Sequence, residues 1–162
     1  MFIYTAAVLT PQSANLLRWA MRAATKGFEL ENDFGFKTPQ NEPIPHHMTI
    51  NLGKLNTELN PDWILGMSAK LKVDQLRWSE EIGACAFRVV EAISVVDDYV
   101  IKSFNDEKSN KHITTCLKPG VKAHKSNDLF GVKAITDFGS SIQYSNLFEE
   151  IIELDAVVQE CS

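Results

Sequence analysis

Two short segments far apart in the chain repeat one pattern. Pro45-His46-His47-Met48-Thr49-Ile50 and Lys111-His112-Ile113-Thr114-Thr115 each carry His-x-Thr inside a run suited to a β-strand. In a strand, side chains at i and i+2 leave the same face, about 6.5–7 Å apart along the backbone. Each motif therefore presents an imidazole and a hydroxyl side by side. The two histidines, His47 and His112, stand 65 positions apart. That spacing fits a doubled architecture in which each half of the chain lends one strand to a shared cleft. His46 points away from the face of His47 and is expected in the core or behind the site.

The rest of the chain reads as more strands around one clear helix. Phe2 to Leu9 suits a buried strand, and Thr10-Pro11 starts a helix with a hydroxyl cap and proline at its first position. The helix is expected to reach about Ala24, with Leu16, Leu17, Ala20, Met21 and Ala24 on one face and Arg18 and Arg22 on the other. Thr25 to Pro45 reads as a long loop holding Pro39, Pro43 and Pro45. Further strands are expected over His46–Leu52, Leu71–Trp78, Ala84–Val90, His112–Leu117 and Ile151–Val158. Ile82-Gly83 marks a turn, and Pro119-Gly120 stops the strand of the second motif. Tyr99 to Ile101 is a short segment of open type. Ser126-Asn127-Asp128 is expected to cap a short helix. The sum is a single α+β domain over residues 1–162 with mostly antiparallel sheet.

Composition sets limits on what such a domain binds. With 162 residues, 44% hydrophobic and 23% charged, the chain is neither disordered nor fibrous in character. The net charge of −5 argues against broad coating of nucleic acid. The charge is uneven, however. Lys108, Lys111, Lys118, Lys122 and Lys125 bracket the second motif with no acid among them, whereas Ala134–Ser162 holds six acids and no base. Within that acidic stretch Glu153 is expected to be solvated. Cys85, Cys116 and Cys161 form no C-x-x-C pair, so neither a disulfide framework nor a zinc knuckle is expected. The apolar start lacks a cationic region and is closed by Thr10-Pro11, so a soluble, cytoplasmic protein is expected (in a host cytoplasm if viral).

Paired imidazoles with paired hydroxyls suit attack on a phosphodiester. One imidazole takes the proton of the attacking hydroxyl or water, and the other, as imidazolium, protonates the leaving oxygen. The threonine hydroxyls donate to the non-bridging oxygens, where charge builds in the transition state. This chemistry calls for no cofactor and no metal. A metal site from His46, His47, His112 and Cys116 lacks ligand-like spacing.

The pair of motifs resembles the 2H phosphoesterase superfamily. Its members include RNA 2′,3′-cyclic phosphodiesterases, the phosphodiesterase domains of fungal tRNA ligases, and bacteriophage anti-CBASS nucleases that destroy cyclic-oligonucleotide signals. Tyr4-Thr5-Ala6-Ala7-Val8-Leu9 and Ser126-Asn127-Asp128 also look like segments of its small stand-alone members. The resemblance implies that His47 and His112 are the acid/base pair and that Thr49 and Thr114 contact phosphate. It also implies a two-lobed α+β fold with antiparallel sheets around a central cleft and a helix in each half.

Around the motifs, Tyr4 is the first choice for stacking on a base, followed by Phe34 and Phe36. Lys118 and Lys122 are expected to attract substrate phosphates. His124 is expected to be solvated. The expected activity is a metal-independent phosphodiesterase acting on a cyclic di- or oligonucleotide. The alternatives are opening of RNA 2′,3′-cyclic phosphate ends and, from another class, a sponge that binds a nucleotide without cutting it. Neither a membrane nor an obligate protein partner is expected.

Overall fold

Alternating apolar positions make the strands, and one long hairpin organises them. The computed structural model describes residues 3–24, 47–96, 99–104, 109–146 and 151–161. The long loop with Phe34 and Phe36, together with His46 and Lys108, lies outside the described residues. β1 (Tyr4–Leu9) leads into α1 (Pro11–Ala24), and β2 (His47–Leu52) carries the first motif. β3 (Ser68–Ser79) and β4 (Ala84–Ser94) are the longest strands and form a hairpin. β5 (Val100–Ser103) and β6 (His112–Leu117) follow, and β6 carries the second motif. A 3-10 helix (Ala123–Leu129), α2 (Gly131–Thr136), β7 (Gln143–Asn146) and β8 (Ile152–Cys161) complete the order.

All eight strands join one antiparallel sheet with the path β2-β1-β8-β3-β4-β5. β6 also lies along β4, against Ala84 to Arg88, and β7 along β3, against Gln75 to Trp78. The hairpin thus has different neighbours at its two ends. Toward Ser68 and Ser94 it continues into β8 and β5; toward its turn it is flanked by β7 and β6. The fold class is α+β, as the strand-rich reading expects.

Local chemistry explains the elements. Thr10 caps α1, its Oγ1 accepting from the Ser13 N–H at 3.3 Å. Leu17 and Ala20 are buried, while Leu16 turns partly to solvent at the edge of the apolar stripe. The main core joins these helix residues to Met48, Leu71, Phe87, Ile113 and Leu154 of the strands. A smaller core lies under the 3-10 helix and α2, where Leu129, Phe130 and Ala134 pack on Ala84 and Ala86. Among the described residues no helix is long and apolar enough to cross a membrane. Among the described residues Cys85, Cys116 and Cys161 form no disulfide.

The acidic strand β8 meets its counter-charges across the sheet. Lys70 and Lys72 lie opposite Asp155 and Glu153. Lys72 sits 3.3 Å from Glu91 and 3.9 Å from Glu153, a partly open network that limits self-repulsion more than it adds stability.

Two elements differ from the sequence expectation. Ser126-Asn127-Asp128 does not cap a helix but lies inside the 3-10 helix, whose flanking residue is Lys122. The Ser126 hydroxyl bonds back to the Ala123 carbonyl at 2.7 Å, a local alternative that favours the tighter turn. Strand β7 was not foreseen, because four residues give too little alternation to register.

The turn of the central hairpin demands glycine. Gly83 has φ +79°, and a Cβ there would meet Val121 Cγ2 at 2.8 Å. Its N–H donates to Ser79 O and its carbonyl accepts from Lys118 N–H. Gly83→Ala is expected to lower the unfolding free energy by about 2 kcal/mol or more, measured by urea denaturation.

Candidate active site

The motif strands alternate as the pattern requires. Met48 and Ile50 of β2 are buried, as are Ile113 and Thr115 of β6. His47 and Thr49, with His112 and Thr114, line a single cleft of about 480 Å³. The two strands occupy separate positions in the sheet, β2 as the end strand beside β1 and β6 beside β4. A lysine brings them together. Lys111, the residue before His112, donates from Nζ to Thr49 O at 3.0 Å and to Ile50 O at 2.9 Å. The sheet therefore curls so that its end strand is met by the side chain that precedes β6. Burial lowers the Lys111 pKa, with the charge of Lys102 acting in the same direction.

His112 is held on three sides. Its Nδ1 contacts the Asn110 carbonyl. Nε2 lies 2.9 Å from Ser126 Oγ, which is also 2.7 Å from Thr114 Oγ1. Ser126 is fully buried, so it cannot itself reach a substrate. It joins the imidazole and hydroxyl of one motif through a single atom. The ring stacks on Phe130, with centroids 5.0 Å apart and planes within 10°. Burial lowers the His112 pKa to about 4, and the neighbouring charges of Lys111 and His47 push the same way; the Asn110 carbonyl opposes them. The ring is neutral at pH 7.

The other wall is formed by β2 and β1. Tyr4 lies against His47, ring centroids 5.1 Å apart and tilted by 35°, and it lines the cleft. His124 and Asn127 of the 3-10 helix stand at the rim. His124 is exposed, in agreement with its expected solvation, yet it borders the cleft rather than a remote loop.

Lys118 and Lys122, expected at the substrate, do not line the cleft. The strand ends at Leu117, and the turn at Pro119-Gly120 leads the chain away. There the Lys118 N–H is tied to Gly83 O, and Lys122 is exposed before the 3-10 helix. The lysine that does border the cleft is Lys111. The sequence places it in the lysine cluster around the second motif, and its bonds to β2 are not legible there. Ser126 and Phe130 were also missed as site residues, because only the fold brings the segment after β6 back over the motif. Among the described residues no cluster of three or more His, Cys, Asp or Glu is arranged to hold a metal ion.

A folded pKa near 4 against about 6.5 unfolded means that the unfolded chain takes up this proton first as pH falls. Stability is expected to drop between pH 6.5 and 4. The loss at His112 is at most about 3 kcal/mol, and less where solvent reaches the ring. An NMR titration is expected to show His112 neutral down to about pH 4. Lys111→Met, which removes a neighbouring charge, is expected to raise that midpoint. No protein-family model and no curated protein matches this chain.

Proposed function

We infer that the chain is a 2H-type phosphodiesterase that cuts a ribonucleotide linkage between His47 and His112. One observation carries the reading: two imidazole–hydroxyl pairs, from strands at separate positions in the sheet, border one cleft. The two-lobed arrangement of that superfamily is part of the proposal, supported by the two ends of the hairpin having different strand neighbours.

Neutral His112 is the base and His47 the acid. On substrate binding, neutral His112 takes the proton of the attacking ribose 2′-hydroxyl. The freed oxygen bonds to phosphorus, the bond from phosphorus to the 5′-oxygen breaks, and that oxygen takes a proton from the His47 imidazolium. The products are a 2′,3′-cyclic phosphate and a 5′-hydroxyl. Thr49 and Thr114 donate to the non-bridging oxygens as charge builds there. With water as the attacking group, the same residues open a 2′,3′-cyclic phosphate.

The preferred substrate is a cyclic di- or oligonucleotide. A cleft of about 480 Å³ suits a nucleotide, and the overall charge of −5 disfavours long nucleic acid.

The test is product analysis on cyclic dinucleotides and on RNA oligomers ending in a 2′,3′-cyclic phosphate, with EDTA present throughout. Consumption of the cyclic dinucleotide in EDTA is expected. His47→Ala and His112→Ala are each expected to lower kcat/KM by about 10²–10⁴-fold. The acid limb of the kcat/KM profile is expected to rise with pH through about 4, because His112 must lose its proton to act as base. Recovery of intact nucleotide from a tight complex supports the sponge instead. If neither substrate changes and neither histidine variant alters anything measurable, the enzymatic reading is wrong.

A further inference from the structure

A second cavity, of about 380 Å³, adjoins the cleft and takes no part in the chemistry above. Arg77 of β3, Arg88 of β4, Tyr144 of β7, Lys111, Ser109 and Phe130 all line it. The two chambers share walls. Lys111 borders both, and Phe130 stacks on His112. Strand register explains the adjacency. Arg88 lies directly opposite His112, and Arg77 directly opposite Tyr144, so cross-strand neighbours continue from the motif into the cavity.

The lining is cationic and aromatic. Arg77, Arg88 and Lys111 line the cavity, the Lys111 ammonium being bonded to the Thr49 and Ile50 carbonyls, and among the described residues no carboxylate lines it. Arg88 is held by Asp74 in a bidentate pair, Nε to Oδ1 at 3.0 Å and Nη2 to Oδ2 at 2.6 Å, which fixes its orientation. Asp74 also acts electrostatically on Arg77. The Arg77 guanidinium lies between the rings of Phe130 and Tyr144, 4.9 Å from each centroid. It donates to Leu129 O at 2.9 Å and to Gln75 Oε1 at 2.8 Å. Those bonds clamp the 3-10 helix to the sheet, a structural role that accounts for Arg77 alone. Arg88, paired with Asp74, and Lys111, whose ammonium is bonded to the Thr49 and Ile50 carbonyls, border the same open space. At the mouth, Tyr144 and Ile135 are 50% and 63% exposed and form an apolar ledge.

We propose that this cavity is a second nucleotide subsite, holding the phosphate of a neighbouring nucleotide among Arg77, Arg88 and Lys111 and its base on the Tyr144 ledge. Planar guanidinium groups match phosphate oxygens, and an exposed aromatic face accepts any base. The proposal rests on the phosphodiesterase reading and sharpens it. The substrate has at least two phosphates, one between the histidines and one in the cavity, as in a cyclic dinucleotide.

Binding is measured by calorimetry on a His47→Ala background, with a cyclic dinucleotide and with a 2′,3′-cyclic mononucleotide. Two cavity variants are compared. Asp74→Asn/Arg88→Gln removes the cation without stranding the carboxylate, and Tyr144→Ala removes the ledge without touching that pair. Circular dichroism confirms folding. Each is expected to lower the dinucleotide-to-mononucleotide affinity ratio, the double variant by about tenfold or more. An unchanged ratio in both folded variants overturns the subsite. A wild-type chain that cuts nothing but shows this split keeps the subsite and loses the catalytic reading.

Discussion

The Lys111 ammonium is the contact on which the site depends. It leaves the chain beside His112 and ends on the backbone carbonyls of Thr49 and Ile50, inside the other motif. An end strand presents unpaired carbonyls, and a partly buried ammonium needs acceptors; each satisfies the other. A charge-assisted hydrogen bond of this kind is worth roughly 1.5–3 kcal/mol. The same cation contributes to the low pKa of His112. One side chain thus ties the two motif strands together and adds to the burial that keeps an imidazole neutral.

Much of this was legible in the sequence because it is local. The alternation through His47-Met48-Thr49-Ile50 and His112-Ile113-Thr114-Thr115 sorts the polar side chains from the buried ones, and strands β2 and β6 fall within a residue of where the pattern put them. The cap at Thr10 and the turn at Gly83 are also written in neighbouring residues. What escaped is long-range. Lys111 and Thr49 are joined across 62 positions, and no periodicity announces that bond. Ser126 looked like a cap because serine beside Asn-Asp usually is one; its contacts to His112 and Thr114 come from the 3-10 helix folding back over β6.

Charge followed the same division. The lysine cluster after His112 was readable, but position in sequence is not position in space. Lys118 and Lys122 are not among the residues that line the cleft, while Arg88, unremarkable in the sequence, is brought opposite His112 by strand pairing, and Arg77 lines the same cavity as Arg88. Glu153 of β8 is meanwhile balanced by Lys70 and Lys72 on its neighbour. A chain of net charge −5 can in this way keep a local cationic chamber beside the paired motifs.

The central claim is that both motifs hold one phosphate. Imidazole ¹⁵N NMR during titration with a cleavage-resistant phosphorothioate cyclic dinucleotide tests it directly. The His47 and His112 signals are expected to shift together and to saturate at one ligand per chain. Movement of one signal without the other, or of neither at saturating ligand, contradicts the account.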